Sequence, residues 1–514
     1  MKRAGIEENL LAILDSASDS KHTPDANDDR LAFLEAVRSA CIVNENPPTS
    51  KMREAVFQIL RVGKSLELIT ESFRLLNELD KRFPRVYLSE KEASESSHLV
   101  VVEEGWSPFL FNLENASRER EAGGRSISGP LDSLGFLQLM QELAEVANEG
   151  NLQALEIKSL RNMLLFQYLV NALEGDFLPR NRVYEETMNW THLRESLLNM
   201  LLSARRINYK GLMKDCLSIM CGLFDVSAGI SEDLESPDNA ASKLSHIGNA
   251  ASALALFELG NNACIALQKL LIMIMDLDMS RKKADMQGST TRADGVRTPL
   301  MEIILDELTY DTDMLSPFLK VFNEPKWKLE IILQYFSKYT TRLSTRTRRS
   351  NGPTEDATTF SGVLNCFSNI TSTRSITKKI KADVVQVLLA HAFQAHLSSS
   401  SQQDADGISA SKDEGKSGSL VEICENIISA FSNLRRTYAK MEILPIGKEA
   451  LFTAATILST ETGAHVFENE GAAAAVAAAT TVFGSNTKQI ACRLIVQLRR
   501  AGIEASITIQ LVRR

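Results

Sequence analysis

From residue 28 onward, apolar residues recur at intervals of three and four, the spacing of one face of an α-helix. In SLELITESFRLLNELDKRFP (65–84), Leu66, Ile69, Phe73, Leu76 and Phe83 form the stripe, with Glu67, Glu71, Arg74 and Glu78 between them. SLRNMLLFQYLVNAL (159–173) is apolar almost all round, which predicts a helix buried on every side. LRESLLNMLLSARR (193–206) and NYKGLMKDCLSIMCGLF (208–224) are separated by a very short gap, which predicts an antiparallel pair. ITKKIKADVVQVLLAHAFQAHL (376–397) and LVEICENIISAFSNLRR (420–436) add two more helices. VVQVLL alone reads as a strand, but the helical period continues on both sides of it.

Helix starts are marked by cap residues and proline. In TPLMEIILDELTYD, Thr298 is a candidate cap and Pro299 suits the first turn, where a backbone N–H has no intrahelical partner. SPFLKVF repeats the device at Ser316 and Pro317. Pro325 opens a third such helix, with Asn323 or Glu324 as cap. In that helix Lys326, Glu330, Gln334, Ser337, Lys338 and Thr341 form one polar stripe. Leu329, Ile332, Leu333 and Phe336 face the other way, and Trp327, Ile331, Tyr335 and Tyr339 widen the apolar face. A helix this apolar is expected to have neighbours on more than one side.

The pattern amounts to a dozen or more helices with short links and no convincing alternating strand. It predicts an all-α chain. The 514 residues exceed what one core normally holds. An irregular α-solenoid fits better than a single bundle, because stacked helix pairs need no oversized core. We read residues 1–23 as a flexible N-terminus and 24–458 as one helical-repeat scaffold. Polar segments near 89–129, 227–242, 349–359 and 398–419 read as disordered loops within it. Residues 459–514 differ in composition. The Ala-rich part is unlike the rest, and from residue 487 onward six Lys/Arg face one acid. This tail reads either as a genuine, unstructured extension or as an alternative splice end or gene-model artefact, and no function is placed on it.

Composition changes this picture little. The chain is 44% hydrophobic and 24% charged, with a formal charge of −8. Net acidity argues against a protein that coats nucleic acid non-specifically and leaves room for a local basic patch. Seven scattered cysteines with no CxxC predict reduced thiols in an intracellular compartment. The N-terminal residues carry no secretory pattern, so the three Asn-x-Ser/Thr matches read as chance. No apolar run approaches the roughly 20 residues of a membrane-spanning helix.

Catalytic chemistry has little support. ASKDEGKS (410–417) has Ala410 where a phosphate loop needs glycine, and it sits in a Ser-rich acidic segment. His391 and His396 are five apart and do not share a helical face; Cys216 and Cys221 have the same spacing. All four read as packed or surface residues. Asp306/Glu307 and Glu185/Glu186 are adjacent and point in different directions on a helix. No cofactor or metal is implied, and the chain reads as a non-enzyme. Ser236, before Pro237 in an acidic loop, is the more accessible proline-directed phosphorylation candidate. Lys338, Arg342, Arg346, Arg348 and Arg349 run with no acid between them, and Arg281, Lys282 and Lys283 form a second cluster. Three readings stay open for them: a solvated charged end, a nuclear-import or acidic-partner contact, and direct phosphate contact. With no interleaved aromatics, DNA contact here would be sequence-independent.

Several long words carry a resemblance: DANDDRLAFLEAVRSA (25–40), LPRNRVYEETMNWTHLRESLLNMLL (178–202), SRKKADMQGSTTRADGVRTPLMEIILDELTYD (280–311), EPKWKLEIILQYFSKY (324–339) and MEILPIGKEALFTAA (441–455). From about residue 24 to 458 the chain resembles the plant family called negative regulator of systemic acquired resistance. That resemblance implies a nuclear, all-α protein like armadillo/HEAT helical repeats. It implies repression of defence genes and a role in DNA repair and recombination, as a subunit resembling non-SMC element 6 of the SMC5/6 complex. The implied partners are a non-SMC element 5-like subunit and the two SMC chains, with DNA reached indirectly. No membrane or small-molecule substrate is implied, and the family offers no catalytic motif. Two alternatives stand beside this: a corepressor acting independently of the complex, and a direct, sequence-independent DNA binder.

Overall fold

The computed structural model describes residues 25–89, 98–102, 105–111, 129–149, 157–235, 247–291, 297–340, 359–405, 420–438 and 441–463. These residues form seventeen α-helices, one π-helical turn and one two-stranded ribbon. The chain divides into two compact units, Met1–Val321 and Phe322–Arg514. The all-α expectation holds; the sequence reading, which took 24–458 as one body, did not contain the division.

The first unit starts with α1 (Asp25–Arg38), a π-turn (Ser39–Val43), α2 (Ser50–Val62) and α3 (Leu66–Arg82). Thr49 and Ser65 cap α2 and α3, their hydroxyls accepting from Met52 N and Leu68 N. The ribbon β1 (Val86–Ser89) and β2 (His98–Val101) follows, then α4 (Ser133–Glu149) and the long α5 (Ile157–Thr187). Short helices α6 (Thr191–Arg194) and α7 (Leu197–Leu202) precede α8 (Tyr209–Glu235), α9 (Ile247–Met286), α10 (Leu300–Tyr310) and α11 (Thr312–Val321). α5 is the hub: α2, α3, α4, α7, α9 and both strands pack on it. Its apolar girth explains this, since Met163, Phe166, Tyr168, Leu169, Val170, Leu173 and Phe177 are all fully buried. The 159–173 reading is therefore correct, but the helix runs on through Pro179 to Thr187. Pro179 has no N–H to donate to the Gly175 carbonyl, so the helix forfeits one backbone bond there.

The second unit holds α12 (Pro325–Thr340), α13 (Phe360–Asn365), α14 (Ile370–Thr377), α15 (Ala382–Ala405), α16 (Leu420–Thr437) and α17 (Pro445–Gly463). α12 packs on α15, α15 on α17, α17 on α16, and α16 on α13 and α14. Trp327, Ile331, Ile332, Leu333, Tyr335 and Phe336 of α12 are buried, as its wide apolar face predicts. VVQVLL lies within α15 as helix.

Four local expectations fail for physical reasons. The stripe assigned to α3 is rotated: Leu68, Ile69, Ser72, Leu75, Leu76 and Leu79 are buried, whereas Leu66 is 53% exposed. Ser72 tolerates burial because its hydroxyl donates to Leu68 O and Ile69 O. The antiparallel pair over 193–224 is replaced by α6 and α7 packed together, α7 also lying on α5, while α8 packs on α4 and α9. Neither Thr298 nor Ser316 is a cap: Asp278 of α9 accepts from Leu300 N at 2.7 Å, and Asp311 accepts from Asp313 N and Met314 N, leaving Pro317 inside α11. Finally, the 89–129 segment, read as loop, contains β2, registered antiparallel with Val86 opposite Val101 and Ser89 opposite His98. Val86 is buried while Tyr87 is exposed, the alternation a half-buried ribbon requires. Phe109 and Leu131 pair as a parallel bridge in the same region. Helix also covers 227–235 and 398–405, at the edges of two other segments read as loops.

Candidate functional site

The cations singled out from the sequence are only partly described. Arg342, Arg346, Arg348 and Arg349 lie outside the described residues, as do ASKDEGKS, Ser236 and the 464–514 tail. Lys338 is exposed on the last turn of α12, in the second unit. Lys282 and Lys283 are exposed and Arg281 half-buried near the end of α9, in the first unit. Being consecutive on a helix, residues 281–283 fan out over three directions instead of forming one face.

The residues weighed for chemistry are packed. His391 is 5% exposed within α15. His396 lies against the Phe360 ring at 5.5 Å, and burial holds its imidazole below the ordinary pKa. Cys41, Cys216, Cys221, Cys264 and Cys424 are buried free thiols. Burial pushes Cys216 and Cys264 up to about 12, far from a reactive thiolate. Among the described residues no cluster of three His, Cys, Asp or Glu is placed to hold a metal ion. No described helix is long and apolar enough to cross a membrane.

Several buried polar side chains fasten helices. Asp278 accepts two bonds from Arg297 (Nε 2.9 Å, Nη2 2.7 Å) while capping α10, and the Arg297 guanidinium stacks over Tyr209 of α8. Asp176 accepts from Leu197 N at 2.8 Å, starting α7, and pairs with Arg180 at 3.3 Å one turn along α5. Arg53 of α2 pairs with Asp80 and donates to Leu79 O and Phe83 O, closing the C-terminal end of α3. Tyr168 of α5 donates to the other Asp80 oxygen at 3.0 Å. Burial raises the Asp80 carboxyl pKa, against the pull of Arg53.

Beside this last network lies a cavity of about 600 Å³, within the first unit. Pro47 and Pro48 form one wall, Phe83 and Pro84 another, and Tyr87, Val102 and Trp106 the ribbon side. Arg53, Lys81, Arg82 and Arg85 also line it, and among the described residues no acid does. Lys81 and Arg82 are exposed, Arg82 pairing with Glu45. Arg85 is held less completely. Its Nη1 is 3.9 Å from Asp176, beyond hydrogen-bond reach, and both Nε and Nη1 are buried without an acceptor. Burial pushes its guanidinium below the ordinary pKa range, Asp176 opposing the shift and Arg180 adding to it. Trp106 packs edge-on against Phe57 at 5.3 Å, and its indole N–H is likewise unpaired. Sequence reasoning missed this cavity. Its trace there is the apolar GWSPFLF piece between two polar segments and the KRFPR run closing α3.

The pattern of the SNI1 middle domain matches residues 85–324, and that of the SNI1 C-terminal domain matches residues 340–462. The first match ends three residues beyond the structural division at Val321/Phe322, and the second lies wholly in the second unit. "Negative regulator of systemic acquired resistance SNI1" of Arabidopsis thaliana is 48% identical over 460 residues, covering 89% of this chain and 95% of that protein. No solved structure matches the chain.

Proposed function

This chain belongs to the SNI1 family, and we propose on that premise that it is a negative regulator of plant defence that works by binding other macromolecules. The observation that carries this reading is the near-full-length likeness to a relative named as such a regulator. The fold is compatible with a scaffold. Buried polar side chains such as Asp176, Asp278 and Gln386 cap and fasten its helices. The direct test is genetic. Expressed in Arabidopsis plants lacking the SNI1 relative, the chain should restore repression of defence genes; unchanged derepression with normal protein levels refutes the reading.

The finer proposal is a nuclear, non-enzymatic scaffold subunit of the SMC5/6 complex, serving DNA repair and recombination as well as defence-gene repression. It rests on the family resemblance of the sequence words quoted above. In this reading the chain meets a non-SMC element 5-like subunit and, through it, the SMC chains and DNA. Size-exclusion chromatography with light scattering on the full chain and that partner should give a stable stoichiometric complex. Two species eluting separately at micromolar concentration would instead favour a corepressor acting outside the complex.

A further inference from the structure

We propose that the cavity between the end of α3 and the β1–β2 ribbon is a receptor for a short acidic peptide segment with an apolar anchor, presented by a partner protein. The inference goes beyond the regulatory reading and does not depend on which complex the chain joins. Three observations on this one site carry it.

The first is donor capacity. Arg53 is consumed by Asp80 and two carbonyls. Lys81, Arg82 and Arg85 remain along the wall, and among the described residues Lys81 pairs with no acid while Arg82 pairs only with the exposed Glu45. Donors outnumber acceptors among the unspent groups next to the cavity: Arg85 Nε and Nη1 and Trp106 Nε1 stand against one buried acceptor, Asp176 Oδ1, 3.9 Å from Arg85 Nη1. Donors without acceptors select a ligand that brings acceptors, and cations select one that brings negative charge.

The second is the apolar half of the site. On the ribbon Tyr87 is 41% and Val102 43% exposed, beside the half-buried Trp106. A bare inorganic anion leaves this surface wet, whereas a peptide with an aliphatic or aromatic side chain among its carboxylates covers it. The proline walls add rigidity, so little ordering entropy opposes binding.

The third is charge contrast. The chain carries −8, and four cations gather here with no acid among the described lining residues. The overall field resists a long polyanion such as duplex DNA, while at a distance below the roughly 8 Å screening length a short acidic segment feels the local cations. Glu103 and Glu104, the acids nearest along the chain, lie outside the described residues.

The test uses the full chain and a fluorescein-labelled peptide of alternating Glu and Asp around one Phe, read by anisotropy. Its partner probe has Gln and Asn in place of the acids. The acidic peptide should bind more tightly than the neutral one, lose affinity as salt rises, and shift the emission of Trp106 in a way that Trp106→Phe abolishes. Lys81→Glu/Arg82→Glu, both at exposed positions, should raise Kd at least about tenfold with an unchanged circular dichroism spectrum, a loss of about 1.4 kcal/mol. Equal binding of the two peptides, an unchanged Kd in the double variant, or displacement by duplex DNA but not by excess unlabelled peptide would each overturn the proposal. So would the absence of binding at millimolar peptide.

Discussion

Replacing Asp278 is the sharpest test of how the first unit is held together. The side chain is 10% exposed, and Arg297, its partner, 11%. Asp278→Ala removes the acceptor for Leu300 N, which starts α10 in place of a cap side chain that Pro299 does not provide. Loss of an N-cap costs about 1 kcal/mol. The same change strands the Arg297 guanidinium in a nearly buried position. Breaking one side of a buried pair costs about 3–5 kcal/mol, and we take the low end because the guanidinium keeps its stacking on Tyr209. These terms share one carboxylate and do not add fully, so we expect a loss of about 3–4 kcal/mol. Arg297→Met should cost less, because Asp278 keeps Leu300 N and the Tyr209 hydroxyl as donors. The double variant should recover at least about 1 kcal/mol relative to the sum of the single changes. The assay is urea unfolding followed by tryptophan emission. In a Trp327→Phe background the remaining tryptophans, Trp106 and Trp190, both report on the first unit. A loss below about 1 kcal/mol for Asp278→Ala, or additive single changes, would refute the fastening role assigned to this cluster.

Further predictions concern both units. Lys328 is 9% exposed on α12, and burial alone lowers its ammonium pKa to about 8. The unfolded chain therefore holds an extra proton between about pH 8 and the ordinary 10.5, so the wild type should gain stability as pH rises through that window. Lys328→Met should be more stable than wild type at pH 7 by up to about 3 kcal/mol and lack this gain, as urea midpoints at pH 7 and 10 would reveal. In the second unit, fully buried Gln386 of α15 donates to Glu442 O and accepts from Leu444 N, clipping the entry to α17. Gln386→Leu should cost about 2–3 kcal/mol by leaving both backbone groups unpaired, and hydrogen exchange should quicken at Leu444. Gly288 closes α9 at φ +69°, with open space where a Cβ would stand. Gly288→Ala should therefore cost about 1 kcal/mol in thermal or urea unfolding, through backbone strain alone.

What the sequence determined by itself was whatever depends on neighbours three or four residues apart. The helical class, the all-round burial of residues 159–173, the first-turn place of Pro325 and the wide apolar face behind it are properties of local period and side-chain chemistry. The family is legible for a related reason: long unbroken words survive in the chain whatever its fold. Tertiary structure decided the rest. Leu66 fits the α3 stripe as well as Leu68 does, and only the position of α2 and α5 selects which face is buried. Thr298 has the chemistry of a cap, yet α10 takes its cap from Asp278, twenty-two residues earlier in the chain, because α9 packs beside its first turn. The ribbon forms because Val86 finds a place against α5, which strands of four residues could not secure alone. The cavity is beyond local reading for the same reason. Pro47, Lys81, Arg85 and Trp106 become one site only when α2, α3 and the ribbon meet, and no spacing along the chain records that meeting.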